Sequence, residues 1–363
     1  MPERRSRKPR VVEGMPSVQL SRQEFVRRFF ERFYDPAFDA VRAELEEVAE
    51  VAWRNYLEYH KSPRTRRAGR GFREPGFQLP LEWLDARARI RAAEREQRSP
   101  RSRSRILLIN ASSRSDQTCP GEMSKSYRLA KLAQRAIERE RCEVDFLDLS
   151  RLAAEAGRMI LPCKACVSSA MPLCHWPCSC YPNHALGQTQ DWMNEIYPRW
   201  SRAHGVMIVT PVNWYQAPSV LKLMIDRLVC ADGGNPDPTT THGKNPLLAK
   251  QIELRGWSYP KHLAGRAFAV VVHGDAAGVE TLRRILCDWL TDLELIQAGP
   301  SAALGRYLGY YRPYATSHDD LDEDKALQAE TRAAARSLVE AVRQIRSGRY
   351  RAPDAGLPAP RAK

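Results

Sequence analysis

TPVNWYQAPSVLKLMIDR, residues 210–227, is the stretch that decides how this chain folds. The run that feeds it, Val206-Met207-Ile208-Val209-Thr210, is continuously apolar and β-branched, as expected of a strand buried on both faces. A loop with two prolines and two aromatics follows, and a helix is expected over 218–228. Strand, loop and helix in that order are part of a βαβ unit, from which parallel sheets are built.

The same alternation extends in both directions. Upstream, Ile106-Leu107-Leu108-Ile109 reads as a buried strand, followed by a Ser-rich loop, a helix over roughly 124–140 and a second strand at 144–149. A further helix is expected near 188–202. Downstream, an irregular Gly/Pro/Thr-rich stretch has room for one extra strand or helix. A strand at 267–272, a helix at 279–290 and a strand at 293–297 come next. Five strands alternating with helices make a doubly wound parallel α/β sheet, whose ligands sit at the carboxyl ends of the strands. An Ala-, Arg- and Glu-rich helix over 319–346 is expected to cover one sheet face.

Ahead of this region the pattern is helical. Ser21 with Glu24 makes a capping box before Phe25, Phe29 and Phe33. Asp35-Pro36 restarts a helix that carries Val41, Leu45, Val48, Val51 and Tyr56. Arg-rich linkers at 61–77 and 95–105 flank one more short helix. The expected organisation is a disordered basic arm over 1–18, a helical extension over 19–104, an α/β domain over 105–347 and a flexible tail over 348–363.

The chain has 363 residues and a formal net charge of +14, of which +9 falls within residues 1–105. The basic excess therefore belongs to the N-terminal region, and a nucleic-acid partner is not expected from it. No apolar run follows the charged first ten residues, so neither a secretory signal nor a membrane anchor is read, and a cytoplasmic location is expected.

Three loops at strand ends carry the candidate site. The first contains Ser112 and Arg114 and leads to Ser124 and Ser126; backbone N–H groups and a helix N-terminus there can cradle a phosphate, with Arg114 or Lys125 neutralising charge. The second, Pro211-Val212-Asn213-Trp214-Tyr215, offers amides, a side-chain amide and two aromatics to a flat ring, although the two aromatics also suit a core or a subunit contact. The third is His273-Gly274-Asp275-Ala276-Ala277-Gly278, whose glycines let the backbone approach a ligand. His273 reads equally well as a structural histidine.

These motifs resemble the NAD(P)H-dependent FMN reductase family of the flavodoxin-like superfamily. Ser112, Arg114, Ser124, Ser126 and Leu129 match its phosphate loop if 116–123 is partly an insertion, TPVNWYQAPSVLKLMIDR is similar to its second signature, and HGDAAG corresponds to its third loop. The resemblance covers about 105–300. It implies a flavodoxin-like five-stranded sheet of order 2-1-3-4-5, bound FMN, NAD(P)H as co-substrate and a small-molecule acceptor such as a flavin or quinone. It also implies a homodimer or homotetramer that buries the second-loop aromatics. A competing function is an electron carrier that binds FMN without turnover and docks a protein redox partner through the N-terminal helices. No classical acid–base residue is expected, because the flavin ring carries the chemistry.

Five of the nine cysteines, Cys163, Cys166, Cys174, Cys178 and Cys180, fall in one loop. Soft thiolates at that density suit a metal. The loop partly resembles that of iron-sulfur flavoproteins, which implies a [4Fe-4S] cluster relaying electrons. Zinc, a redox-active dithiol at Cys163 and Cys166, and simple burial are the rival readings. Cys230 and Cys287 are read as core.

Overall fold

The computed structural model describes residues 9–11, 15–16, 19–57, 64–118, 122–181, 191–275, 277–309, 313 and 317–351. Most of the basic arm and of the tail, and part of the insertion after Arg114, lie outside them. The chain forms two compact units: 1–89 with 158–197 and 226–260, and 90–157 with 198–225 and 261–363.

In the first unit, Ser21 caps the helix Arg22–Phe30 by accepting from the Glu24 N–H at 3.2 Å. Asp35 caps a 3-10 turn, Pro36–Val41, that runs into the helix Arg42–Leu57. Phe25 and Phe29 pack with Ala49, Ala52 and Trp53. The expected valine stripe does not make that core: Val41, Val48 and Val51 are exposed, because small Ala49 and Ala52 let the two helices approach and turn the valines outward. Strands β1 (Thr65–Arg67) and β2 (Gln78–Pro80) pair antiparallel. The loop between them is tied to a later segment, Arg73 N–H donating to Asp237 Oδ2 at 2.7 Å and Glu74 N–H to Thr239 Oγ1 at 3.2 Å. Trp83, fully buried, donates to the Pro177 carbonyl at 2.9 Å. The Gly/Pro/Thr-rich stretch supplies one further helix, Pro246–Leu254.

The second unit holds the parallel sheet: β3 (Arg105–Asn110), β4 (Glu143–Asp148), β5 (Gly205–Pro211), β6 (Ala267–Gly274), β7 (Ile296–Gln297) and β8 (Ala303–Tyr307). The order is β4-β3-β5-β6-β7, with β8 also beside β6, which is 2-1-3-4-5 with the fifth position shared by two short strands. The strand expected at 293–297 is thus reduced to two residues. Gly299 at φ 84° and the 3-10 turn Pro300–Ala302 interrupt the edge before β8 resumes it.

Strand alternation sorts the core. Ile106, Leu108, Met207, Val209, Ala269 and Val271 face the helices Lys125–Arg139 and Lys325–Arg346, which bury Leu129, Ala133, Leu338 and Val342 against them. The expected final helix is broken at Asp324, whose carboxylate caps its second part by accepting from the Leu327 N–H at 2.8 Å. Among the described residues, no helix is long and apolar enough to cross a membrane.

Candidate functional site

The carboxyl ends of β3, β5 and β6 converge on a cleft of about 420 Å³ in the second unit. It is lined by Ser112, Ser113, Arg114, Thr118, Ser124, Lys125, Ser126, Ala153, Pro211, Val212, Asn213, His273, Gly274 and Asp275. Of the described residues in the three expected loops, Trp214, Tyr215, Ala277 and Gly278 lie off its wall; Ala276 lies outside the described residues. Lys125, named in the sequence only as a neutralising charge, lines the cleft and is 7% exposed. Ser113 belongs to the first loop expected from sequence, while Thr118 and Ala153 were not anticipated as cleft residues. Ser113 and Thr118 sit among other hydroxyls in the same loop, whereas Ala153 carries no chemistry a sequence could display.

One end of the cleft gathers hydroxyls and two basic side chains at a helix N-terminus. Ser124 Oγ accepts from the Tyr127 N–H at 2.9 Å and starts the 15-residue helix Lys125–Arg139, so the first N–H groups of that helix have no partner within it. Ser112 Oγ accepts from the Arg114 N–H at 3.1 Å, folding the first loop back beside the helix. The Arg114 guanidinium is held at 3.1 Å by Glu122. Burial pushes the Lys125 ammonium below its ordinary pKa, against the Asp275 and Asp320 carboxylates, which raise it.

His273 stands at the bottom, its Nε2 2.7 Å from Ser126 Oγ. Burial, and then the Lys125 charge, lower its pKa to about 3, so the imidazole is neutral at ordinary pH and fixes the serine hydroxyl. Its carbonyl accepts from the Val212 N–H at 2.8 Å, locking the second loop to the third.

The second loop ends in a tight turn in which Asn213 and Gln216 exchange both backbone hydrogen bonds, at 3.0 and 2.9 Å. Trp214 and Tyr215 occupy its two central positions at φ 47° and 65°, where Asn and Gly are the usual occupants. They are 94% and 62% exposed. Gly278, at φ 111°, touches this turn rather than the cleft. A Cβ there would stand 2.8 Å from Tyr215 Cα, so only glycine lets the two loops meet.

The cysteine loop belongs to the first unit. Cys166 Sγ lies 3.4 Å from Cys180 Sγ and 3.7 Å from Lys244 Nζ. The hydrogen bond with Cys180 and the Lys244 charge bring its pKa down to about 6 despite burial. Cys178 is held protonated by its bond to Cys180 and by burial, and burial also raises Cys174. Cys163 Sγ instead accepts from the Ala165 N–H at 3.3 Å. Among the described residues, no three His, Cys, Asp or Glu side chains converge as metal ligands. Cys180 is thus the neighbour of both Cys166 and Cys178, whereas Cys174 is buried and Cys163 turns to its own loop.

The NADPH-dependent FMN reductase family matches residues 104–307. No curated protein matches the chain. Solved structures that resemble it include RosB with a bound 8-demethyl-8-formylriboflavin-5'-phosphate intermediate, 14% identical over 68% of this chain and 82% of that one at a TM-score of 0.46. A flavone reductase is 17% identical over 68% of this chain and 66% of that one, at a TM-score of 0.39. An oxidoreductase from Corynebacterium diphtheriae is 13% identical over 66% and 98%, at 0.35. With more than half of its length matched and the strand order that the family match implies, the chain belongs to the NADPH-dependent FMN reductase family and is a flavodoxin-like, FMN-binding oxidoreductase.

Proposed function

We propose that the protein is an NAD(P)H-dependent reductase of a small acceptor, a flavin or quinone among the candidates, and that FMN occupies the cleft at the ends of β3, β5 and β6. The observation that carries this reading is the pairing of a cationic, hydroxyl-rich pocket at a helix N-terminus with an apolar, amide-bearing rim on the neighbouring strand end. The cleft volume falls within the range that holds a cofactor of this size.

In this reading Ser112, Ser124, Ser126 and the first N–H groups of the helix hold the phosphate, with Arg114 and Lys125 supplying positive charge. Pro211, Val212, Asn213, Gly274 and Asp275 flank the ring. His273 remains neutral and orients the Ser126 hydroxyl toward the ligand. The flavin, when bound, supplies hydride and electron transfer, and the chain supplies binding, orientation and electrostatic tuning. No side chain is assigned a general acid or base role.

We assign the exposed Trp214–Tyr215 turn to a contact between subunits of a homodimer or homotetramer. Two large aromatics held outward in a strained turn gain most when a partner covers them. The test is steady-state NADH and NADPH oxidation by FMN-loaded protein with free flavin and quinone acceptors, alongside its mass by light scattering. Turnover with at least one nicotinamide and an assembled species that Trp214→Ala dissociates are expected. Failure to oxidise either nicotinamide overturns the proposed electron source, and a monomer overturns the contact.

A further inference from the structure

The cysteine loop, in the first unit, holds two thiols in contact. Cys166 and Cys180 are free thiols whose sulfurs stand 3.4 Å apart, within about 1.5 Å of a disulfide bond length. They differ in access: Cys166 is partly exposed, while Cys180 is buried. Lys244 is anchored by donating to the Leu173 carbonyl at 2.8 Å, which holds its ammonium beside Cys166 rather than in solvent. A fixed cation next to an accessible sulfur favours its thiolate, the attacking form in disulfide exchange.

The geometry points to Cys166 and Cys180 as a dithiol–disulfide couple that exchanges with low-molecular-weight disulfides of the glutathione class, Cys166 attacking and Cys180 resolving. In the first step the Cys166 thiolate attacks one sulfur of the disulfide. Its S–S bond breaks, a Cys166 mixed disulfide forms, and the departing thiolate takes up a proton from solvent. Cys180 then loses its proton and attacks the Cys166 sulfur, expelling the second small thiolate, which is protonated in turn. Two protein thiols are oxidised by two electrons to one disulfide, and one small disulfide is reduced to two thiols. Cys163 is not the partner, although its spacing to Cys166 suggests it, because its sulfur is engaged by the backbone of its own loop.

The test is exposure of the full-length, FMN-loaded protein to oxidised glutathione at pH 7, followed by an acid quench, alkylation and peptide mapping. A Cys166–Cys180 linkage is expected, formed on the order of tenfold faster than any modification of Cys287, whose thiol burial holds protonated. Cys180→Ser is expected to accumulate glutathione on Cys166, and dithiothreitol should reverse both products. A linkage of Cys166 to Cys163 or Cys178 overturns the assignment. So does a Cys166 that remains unmodified, or stoichiometric iron or zinc whose chelation alone makes the thiols reactive. Mapping of the unaltered chain decides the matter even if Cys180→Ser does not fold.

Discussion

Replacing Lys125 by Met is expected to move flavin affinity and apoprotein stability in opposite directions. The side chain is 7% exposed, stands at the first residue of the helix Lys125–Arg139 and lines the cleft with Arg114. In the proposed phosphate site it would make a charge-assisted contact, worth about 1.5–3 kcal/mol, so Lys125→Met should weaken FMN binding about 10- to 150-fold. Riboflavin, which lacks the phosphate, should bind the variant and the parent alike. Without ligand the sign reverses. Burial has lowered the ammonium's pKa, so the folded state binds fewer protons than the unfolded state as pH approaches 10.5, and stability rises with pH through that window. Methionine fills similar space without the charge and should leave the apoprotein at least as stable at pH 7, with a flatter alkaline profile. Flavin fluorescence titration and thermal unfolding of the apoproteins measure both arms. Equal losses for FMN and riboflavin would refute the phosphate role, and a destabilised apoprotein would refute the electrostatic argument.

His204 accepts from the Arg105 N–H at Nδ1 and bonds the Gln97 carbonyl through Nε2, both at 3.0 Å; burial, and then the Arg346 charge, lower its pKa to about 4 against the Gln97 bond, which raises it, so it is neutral at ordinary pH. With His273 near 3, the stability these two residues confer is complete above about pH 6.5 and is lost as pH falls toward their folded values, by up to about 2.7 kcal/mol per pH unit between 6 and 4.5; urea unfolding at pH 7 and 5 should show His204→Asn losing less than the parent. Converting Trp214-Tyr215 to Asn-Gly replaces two bulky aromatics at positive φ by the residues that tolerate it and should stabilise the isolated chain by about 1–2 kcal/mol while weakening subunit association. Unfolding curves and light scattering together check this, and a destabilised turn would show that the aromatics pack on their own chain.

The sheet was legible because its strands are buried on both faces and read as unbroken apolar runs such as Ile106–Ile109 and Val206–Val209. The cleft was legible for a related reason, since parallel strands of this order deliver their following loops to one edge. Three things were hidden. The edge strand β8 contains Gly305 and Arg306 and has no apolar run to announce it; its partner β6 defines it. The valines of Arg42–Leu57 look like a core stripe, yet the alanines beside them permit closer helix packing and take that place. In the cysteine loop, spacing along the chain pointed to a metal or to the Cys163–Cys166 pair. The fold brings together Cys166 and Cys180, 14 positions apart, a contact no local spacing rule encodes.

Flavin extracted from purified protein, followed by titration of the apoprotein with FMN and riboflavin, tests the central claim most directly. One FMN per chain is predicted, with riboflavin bound at least about tenfold more weakly because the helix N-terminus, Ser112, Arg114 and Lys125 are left without their anion. No flavin bound, or FMN and riboflavin bound equally, would contradict the account.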